Sequence, residues 1–188
     1  MEVTRLALLP QDAVVLFRSS RTMAIKKMTA DEFFKLYAAG ERDFFEVEIT
    51  DADMSLATGW EKNNPIGQTI TGARISRGNY SGSNFSANDM RGSTFGGSKM
   101  VQCQFISADM TGTDWMYADL TGATFEGAKL VRARFVEAIL AGCDFVGADL
   151  TKANLSGADI SGAHFSGALF HNTTMPDGSI VEGPYSPD

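Results

Sequence analysis

The chain has 188 residues, of which 44% are apolar and 21% charged, with 19 glycines and a net charge of −7, a balance that suits one globular domain of ordinary hydropathy. Its acidity argues against a basic nucleic-acid-binding surface, so no direct nucleic acid binding is expected. No apolar run approaches the roughly 18 residues of a membrane span. The early runs Leu6 to Leu9 and Ala13 to Phe17 are separated by Pro10, Gln11 and Asp12, and neither has the form of a secretory signal.

Residues 1–28 read as an N-terminal extension without periodicity. Ala13 to Phe17 can form a strand, followed by a turn at Ser19 to Arg21 and a second strand near Met23 to Ile25; an unstructured leader is the alternative. Over 29–42 the sequence predicts a short helix. Thr29 and Glu32 have the spacing of a capping box, Phe33, Phe34, Leu36 and Tyr37 offer an apolar face, and Gly40 supplies a stop.

Phe44, Ile49 and Met54 then introduce a five-residue spacing, with Ala52 two places before Met54. From Met54 to Ile70 is sixteen residues, one more than three steps of five, so a loop or bulge is expected at 56–69, where Gly59, Asn63, Asn64 and Pro65 are turn residues. Trp60 within it either folds back on the wall or stands out as an anchor for a partner.

From Ile70 through Trp115 to Ile180 every fifth residue is a large apolar one, 23 without a break. At 44% apolar content such a run has a chance probability on the order of one in a hundred million. A period of five fits neither a helix nor a flat strand and requires a chain that turns a corner every five residues. Two places before each large residue is a small one: of the 22 such positions from 73 to 178, twelve are Ala, and the rest are Cys, Ser, Thr or Gly apart from Asn88. The other three positions of each five are mostly polar and should face water.

Quoted in register, Ala118-Asp-Leu-Thr-Gly122, Ala153-Asn-Leu-Ser-Gly157 and Ala158-Asp-Ile-Ser-Gly162 resemble the A(D/N)LXX signature of the pentapeptide-repeat family. The resemblance covers about residues 43–180 and implies an all-β fold, a right-handed quadrilateral parallel β-helix in which four repeats make one coil, here with a short N-terminal capping helix. Stacked positions would then be twenty apart, and the 22 steps from Ile70 to Ile180 would make a rod of roughly 26 Å at the usual strand spacing. Sorted by twenty, Phe85, Phe105, Phe125, Phe145 and Phe165 fall in one column and Phe95, Trp115 and Phe135 in the column opposite, which predicts two aromatic ladders facing each other across the axis. The tail 181–188 has no helical pattern, so the last coil must be covered by that tail, through Tyr185, or by another subunit, and homodimerisation through the C-terminal coil is one expectation.

No catalytic pattern survives inspection, and no enzyme activity, metal or cofactor is expected. His164 and His171 are too far apart for paired ligands and fall at outward positions. Cys103 and Cys143 share a corner column two coils apart, about 9 to 10 Å at the usual strand spacing and too far to bridge, which points to reduced core thiols in a cytoplasmic protein. Asp109, Asp119, Asp149 and Asp159, and the Asn-X-Ser/Thr triplets such as Asn154 to Ser156, are by-products of the repeat.

The outer wall is the better candidate. Met116, Tyr117, Val136 and Ile139 should point outward on or beside one face, with Ile106 and Val146 in another column and Val101 and Val131 elsewhere. Contiguous exposed apolar surface marks an interaction site; scattered surface apolars on a repetitive fold are the alternative. Arg132 and Arg134, near Lys129 and Lys152, form a basic spot suited to orienting an acidic partner. The primary expectation is a non-enzymatic interaction or scaffold module with an unidentified protein partner. The resemblance implies a second: some members of that family protect DNA gyrase and topoisomerase IV from quinolones or toxins by imitating duplex DNA. Residues 60–177 carry 11 acidic and 9 basic side chains, a net of −2, and no dimerisation helix is recognisable at the C-terminus, both of which depart from that pattern.

Overall fold

The structure, a computed structural model, describes residues 26–45, 47–49 and 70–183. The strands expected at 13–17 and 23–25, the loop at 56–69 with Trp60, and Tyr185 lie outside the described residues.

From Ala73 to Met175, each small residue and the large apolar residue two places after it point into a common core, and the other three positions form the wall. Parallel bridges link positions twenty apart, as in Arg74 to Thr94, Thr94 to Asp114 and Asp114 to Arg134, so four five-residue steps complete one coil. Coils are tied by backbone hydrogen bonds in two directions. The N–H of Met110 donates to the carbonyl of Lys129 at 2.8 Å, and that of Asp109 to the carbonyl of Asn88 at 2.9 Å.

Three devices make the corner and fix it to its neighbour. The residue two places after each large one is left-handed: at 21 successive positions from Gly72 to Asn172 φ lies between 51° and 72°, and only 12 of them are glycine. The Asp or Asn just before the large residue uses its side-chain oxygen to accept the N–H two residues on, as Asp109 does from Thr111 at 3.1 Å and Asn154 from Ser156 at 2.9 Å. At the small inward position, Ser98, Cys103, Cys143 and Thr173 donate to the carbonyls of Ile75, Tyr80, Leu120 and Leu150, one coil back. The first two devices act within one five-residue step, and the third ties each step to the coil beneath it, twenty-three residues earlier.

The core contains both aromatic ladders that the twenty-residue register predicts. Phe85, Phe105, Phe125, Phe145 and Phe165 stack with centroids 4.8 to 5.4 Å apart and planes within 10°. Opposite them Phe95, Trp115 and Phe135 stack at 4.1 and 6.2 Å. The ladders meet edge to face, as Phe105 meets Trp115 at 5.3 Å and 73°, the arrangement that the ring quadrupoles favour. The Trp115 indole N–H is satisfied by donating to Thr113 Oγ1 at 2.8 Å.

At the N-terminal end, β1 (Lys26–Lys27) pairs in parallel with β2 (Val47–Glu48), and Glu48 bridges to Asn79. Among the described residues the parallel pairing therefore already includes Lys26 and Lys27, which lie inside the extension expected at 1–28. Between the two strands lies α1 (Ala30–Ala38), opened by the expected capping box of Thr29 and Glu32 and followed by Gly40 at φ 100°. Its apolar face meets the first coil: Phe33 is 4.2 Å from the Phe44 ring, and the Tyr37 hydroxyl donates to the Thr71 carbonyl at 2.9 Å. The Arg42 guanidinium lies 3.8 Å over the Tyr37 ring.

The register also resolves the phase slip. Asp43 bridges to Arg74 and Glu48 to Asn79, a step of 31 where later coils step 20, so the surplus between Ile49 and Ile70 is eleven residues. Only the remainder of one, after dividing by five, is visible as a phase mismatch in the sequence.

At the other end the five-residue series stops at Met175. Ile180, expected to be the last inward residue, is 64% exposed, because β4 (Ile180–Glu182) turns back to pair antiparallel with β3 (His171–Thr174). The turn is closed by Met175, whose N–H donates to the Ser179 carbonyl. This hairpin leaves Phe165, Phe170 and Met175 buried, whereas Ile160 and Ala163, with no coil stacked on them, are half-buried.

One polar group is out of place in this core. Among the described residues the Tyr80 hydroxyl is buried without a hydrogen-bond partner, and burial pushes its phenol far above the ordinary range. Replacing Tyr80 with Phe removes an unsatisfied group without changing the ring. The expected outcome is a gain of about 1 kcal/mol in unfolding free energy, measured by urea denaturation.

Candidate protein-interaction surface

The coil register assembles the predicted wall residues from two adjacent coils. Met116 and Tyr117 lie on one coil, Arg134, Val136 and Ile139 on the next. The Tyr117 N–H donates to the Val136 carbonyl at 3.1 Å, and the Leu120 N–H to the Ile139 carbonyl at 2.8 Å. Arg134 ties the two coils: its guanidinium reaches Asp114 at 3.1 Å and the Met116 sulfur at 2.9 Å. Tyr117 is 65% exposed and Ile139 44%, and Met116 and Val136 are half-buried in the column next to Tyr117. Arg132 occupies the corner just before Arg134 and is exposed, as is Lys152 one coil above. Trp60, the remaining candidate, is outside the described residues.

The relief of this face comes from the coils on either side. Below Met116 and Tyr117 the same two wall positions are Gly96 and Gly97; above Val136 and Glu137 they are Ser156 and Gly157. A Cβ at Gly157 would fall 2.6 Å from the Glu137 carboxylate, so Glu137 leans over that glycine. The result is a raised, largely apolar ridge two coils deep, with a cationic edge at Arg132 and Lys152 and with Glu137 standing between Val136 and Ile139.

Other departures from the polar wall are separate. Val146 is exposed, while Ile106, Val101 and Val131 are half-buried. Leu169, 57% exposed in the slot before Phe170, was not singled out from sequence although its slot is normally polar. Phe45, also exposed, carries the Arg77 guanidinium 5.6 Å above its ring.

The chemistry-bearing side chains are occupied in holding the fold. Asp109, Asp119, Asp149 and Asp159 each accept a backbone N–H from the residue two places on, and the Asp159 carboxyl is held below its usual range by the N–H and hydroxyl of Ser161. His164 and His171 are exposed on the wall. Among the described residues no group of His, Cys, Asp and Glu could hold a metal ion, and no helix is long and apolar enough to cross a membrane. The Cys103 and Cys143 thiols are buried and donate to the carbonyls of Tyr80 and Leu120.

Burial pushes the Cys143 thiol up to about 12, against about 8.5 for an unfolded cysteine. The stabilising preference for the protonated form is therefore fully present below about pH 8.5 and is lost as pH rises from there towards 12. Denaturation series between pH 8 and 11 should show unfolding free energy falling with pH, and Cys143→Ala should flatten that fall.

Four residues of the candidate face, Tyr117, Arg132, Glu137 and Lys152, are non-glycine residues at left-handed corners, with φ of 61°, 59°, 56° and 60°. A side chain in that conformation costs roughly 1–2 kcal/mol, partly offset by the entropy a glycine loses on folding. Tyr117→Gly is accordingly expected to raise unfolding free energy by about 0.5–1 kcal/mol, read from thermal and urea melts.

A family description, pentapeptide repeats, matches in 8 copies over residues 98–135, 118–157 and 128–167. No curated protein sequence matches this one. Among solved structures, a pentapeptide repeat protein of the cyanobacterium Cyanothece 51142 is similar at 18% identity, over 77% of this chain and 97% of its own, with a TM-score of 0.48. One from the thylakoid lumen of Arabidopsis thaliana is similar at 23% identity, over 63% of this chain and 80% of its own, with a TM-score of 0.42. QnrB1, described as a plasmid-mediated fluoroquinolone resistance protein, is similar at 19% identity over 71% of this chain and 70% of its own, with a TM-score of 0.39.

Proposed function

This chain belongs to the pentapeptide repeat family, and from that premise we propose that it is a non-enzymatic interaction module, built as the right-handed square coil its repeats imply, that engages a protein partner through the face carrying Met116, Tyr117, Val136, Ile139, Arg132 and Arg134. The observation that carries this reading is the contiguous ridge itself: four apolar side chains on adjacent coils, at positions where the repeat elsewhere places polar ones, beside exposed cations. A rigid solenoid suits such a role, since each coil contacts only its neighbours and its wall can vary without disturbing the core.

Imitation of duplex DNA would require unbroken stripes of negative charge at the spacing of phosphates. The wall columns are mixed. One runs Asp89, Asp109, Lys129, Asp149, Leu169, and the next runs Arg74, Thr94, Asp114, Arg134, Asn154. Three of the wall acids are further offset by ion pairs with Arg91, Lys129 and Arg134. That distribution favours the docking face over the gyrase-directed reading.

The two are separated by one pair of experiments on purified protein. Affinity capture should recover a partner that is lost when Tyr117 and Val136 are changed to Asp with the thermal melt unchanged, and a DNA gyrase supercoiling assay should show neither inhibition nor relief from a quinolone at micromolar protein. Capture indifferent to those changes would remove the face from consideration, and quinolone protection would put gyrase in its place.

A further inference from the structure

The partner's chemistry can be argued one step further, on the premise that the ridge is the docking face. We propose that it receives a protein segment in which a carboxylate lies beside an apolar side chain, with the carboxylate on the Arg132 and Lys152 edge and the apolar group on Met116 and Val136.

The first support is the state of the cations. Lys129 and Arg134, on the same coil, are paired with Asp109 and Asp114. Arg132 and Lys152 have no carboxylate partner among the described residues. They occupy successive coils, joined by the Arg132 N–H donating to the Thr151 carbonyl at 2.9 Å, so their backbones are about 4.8 Å apart. Two cations at that spacing on one edge are matched by one carboxylate or by two on neighbouring residues of a partner. The acids on the neighbouring wall positions are engaged elsewhere in the fold. Asp149 caps the Thr151 N–H at 2.9 Å, Asp114 holds Arg134 and caps Met116, and Glu137 lies over Gly157 at the next corner.

The second support is that the fold does not account for these side chains. Both sit at left-handed corners where glycine is the commonest residue of the series, and both are exposed. Beneath Arg132, Gly112 has nothing within 4 Å of where a Cβ would stand, so the corner leans on no neighbour below. A partner compensates an otherwise unfavourable placement.

Charge also sets the orientation. Glu137 stands within the face, directly above Tyr117 and between Val136 and Ile139, so a segment acidic along its whole length is repelled there, whereas one with its carboxylates at the Arg132 end and apolar residues following is accommodated. Tyr117, beside Glu137's coil and above the bare backbone of Gly96 and Gly97, supplies an aromatic wall for the apolar part.

The test is a titration of the full-length, 15N-labelled protein with three capped peptides that carry two aspartates, two asparagines or two lysines ahead of two leucines. The aspartate peptide should shift the amides of residues 117, 132, 136 and 152 saturably. The shifts should weaken several-fold between about 50 and 300 mM salt, and the lysine peptide should leave these amides unmoved. The double variant Arg132→Gly and Lys152→Gly, in which glycine replaces residues already in its preferred conformation, should remain folded and weaken the aspartate peptide about tenfold. Val136→Asp should abolish binding of any peptide that uses the ridge. Equal binding of all three peptides with loss in Val136→Asp would overturn the acidic partner and leave the docking face standing. Binding unaffected by either variant, or no binding by the aspartate peptide, would overturn the proposal, and the capture experiment above then decides the face independently.

Discussion

The architecture depends on one backbone constraint, a left-handed residue at every fifth position from Gly72 to Asn172. A chain that must return above itself after twenty residues has to turn at each face by the same amount, and one left-handed residue per step supplies the turn. With the turn made, the remaining pattern follows. The residue two before it falls inside and must be large; the residue four before it falls at the inner corner and must be small; Asp or Asn between them can close the turn on its own backbone. Because neighbouring coils superpose residue on residue, like meets like, and columns of aromatic rings, hydroxyl donors and caps appear without any side chain selecting a distant partner.

Much of this was legible because the period is unambiguous. The run of apolar residues, the small corner residues and the twenty-residue sorting of Phe105, Phe125 and Trp115 all come from spacing alone. The turn itself was not read: the glycines at 72, 82, 92 and 97 mark the left-handed position, yet Arg77, Ala87, Gln102 and Tyr117 occupy it too, so composition at that slot blurs the signal. The remainder of one at the phase slip concealed eleven surplus residues, since spacing modulo five cannot count whole repeats. Ile180 kept the five-residue spacing and still left the core, because the strand that carries it turns back to pair antiparallel with His171–Thr174. The helix was legible from its capping box, but the strand Lys26–Lys27 was not, as two exposed lysines carry no strand signature.

The candidate face was legible in part for the same reason. Outward slots are defined by the register, so Met116, Tyr117, Val136 and Ile139 stood out as apolar residues in polar positions. Their union with Arg134 depended on two side-chain contacts, to Asp114 and to the Met116 sulfur, that spacing does not specify. The relief of the ridge likewise depends on neighbours: Gly96 and Gly97 matter because they lie directly beneath Met116 and Tyr117, twenty residues earlier in the chain.

In a solenoid the inward residues of one coil are answerable to the coils above and below, while the outward ones are answerable to nothing in the fold beyond their own turn. A polar wall residue such as Asp109 closes that turn, and a corner glycine relieves it. Tyr117, Arg132 and Lys152 do neither: they are exposed, they sit at the strained corner, and they neither bury substantial surface nor, in the case of the cations, meet a carboxylate among the described residues. Side chains that a repeat would stabilise itself by losing are informative because no folding term explains them. In a molecule this regular, function is read most directly from the positions where the repeat departs from its own rule, and the departures that coincide in space outweigh those that do not.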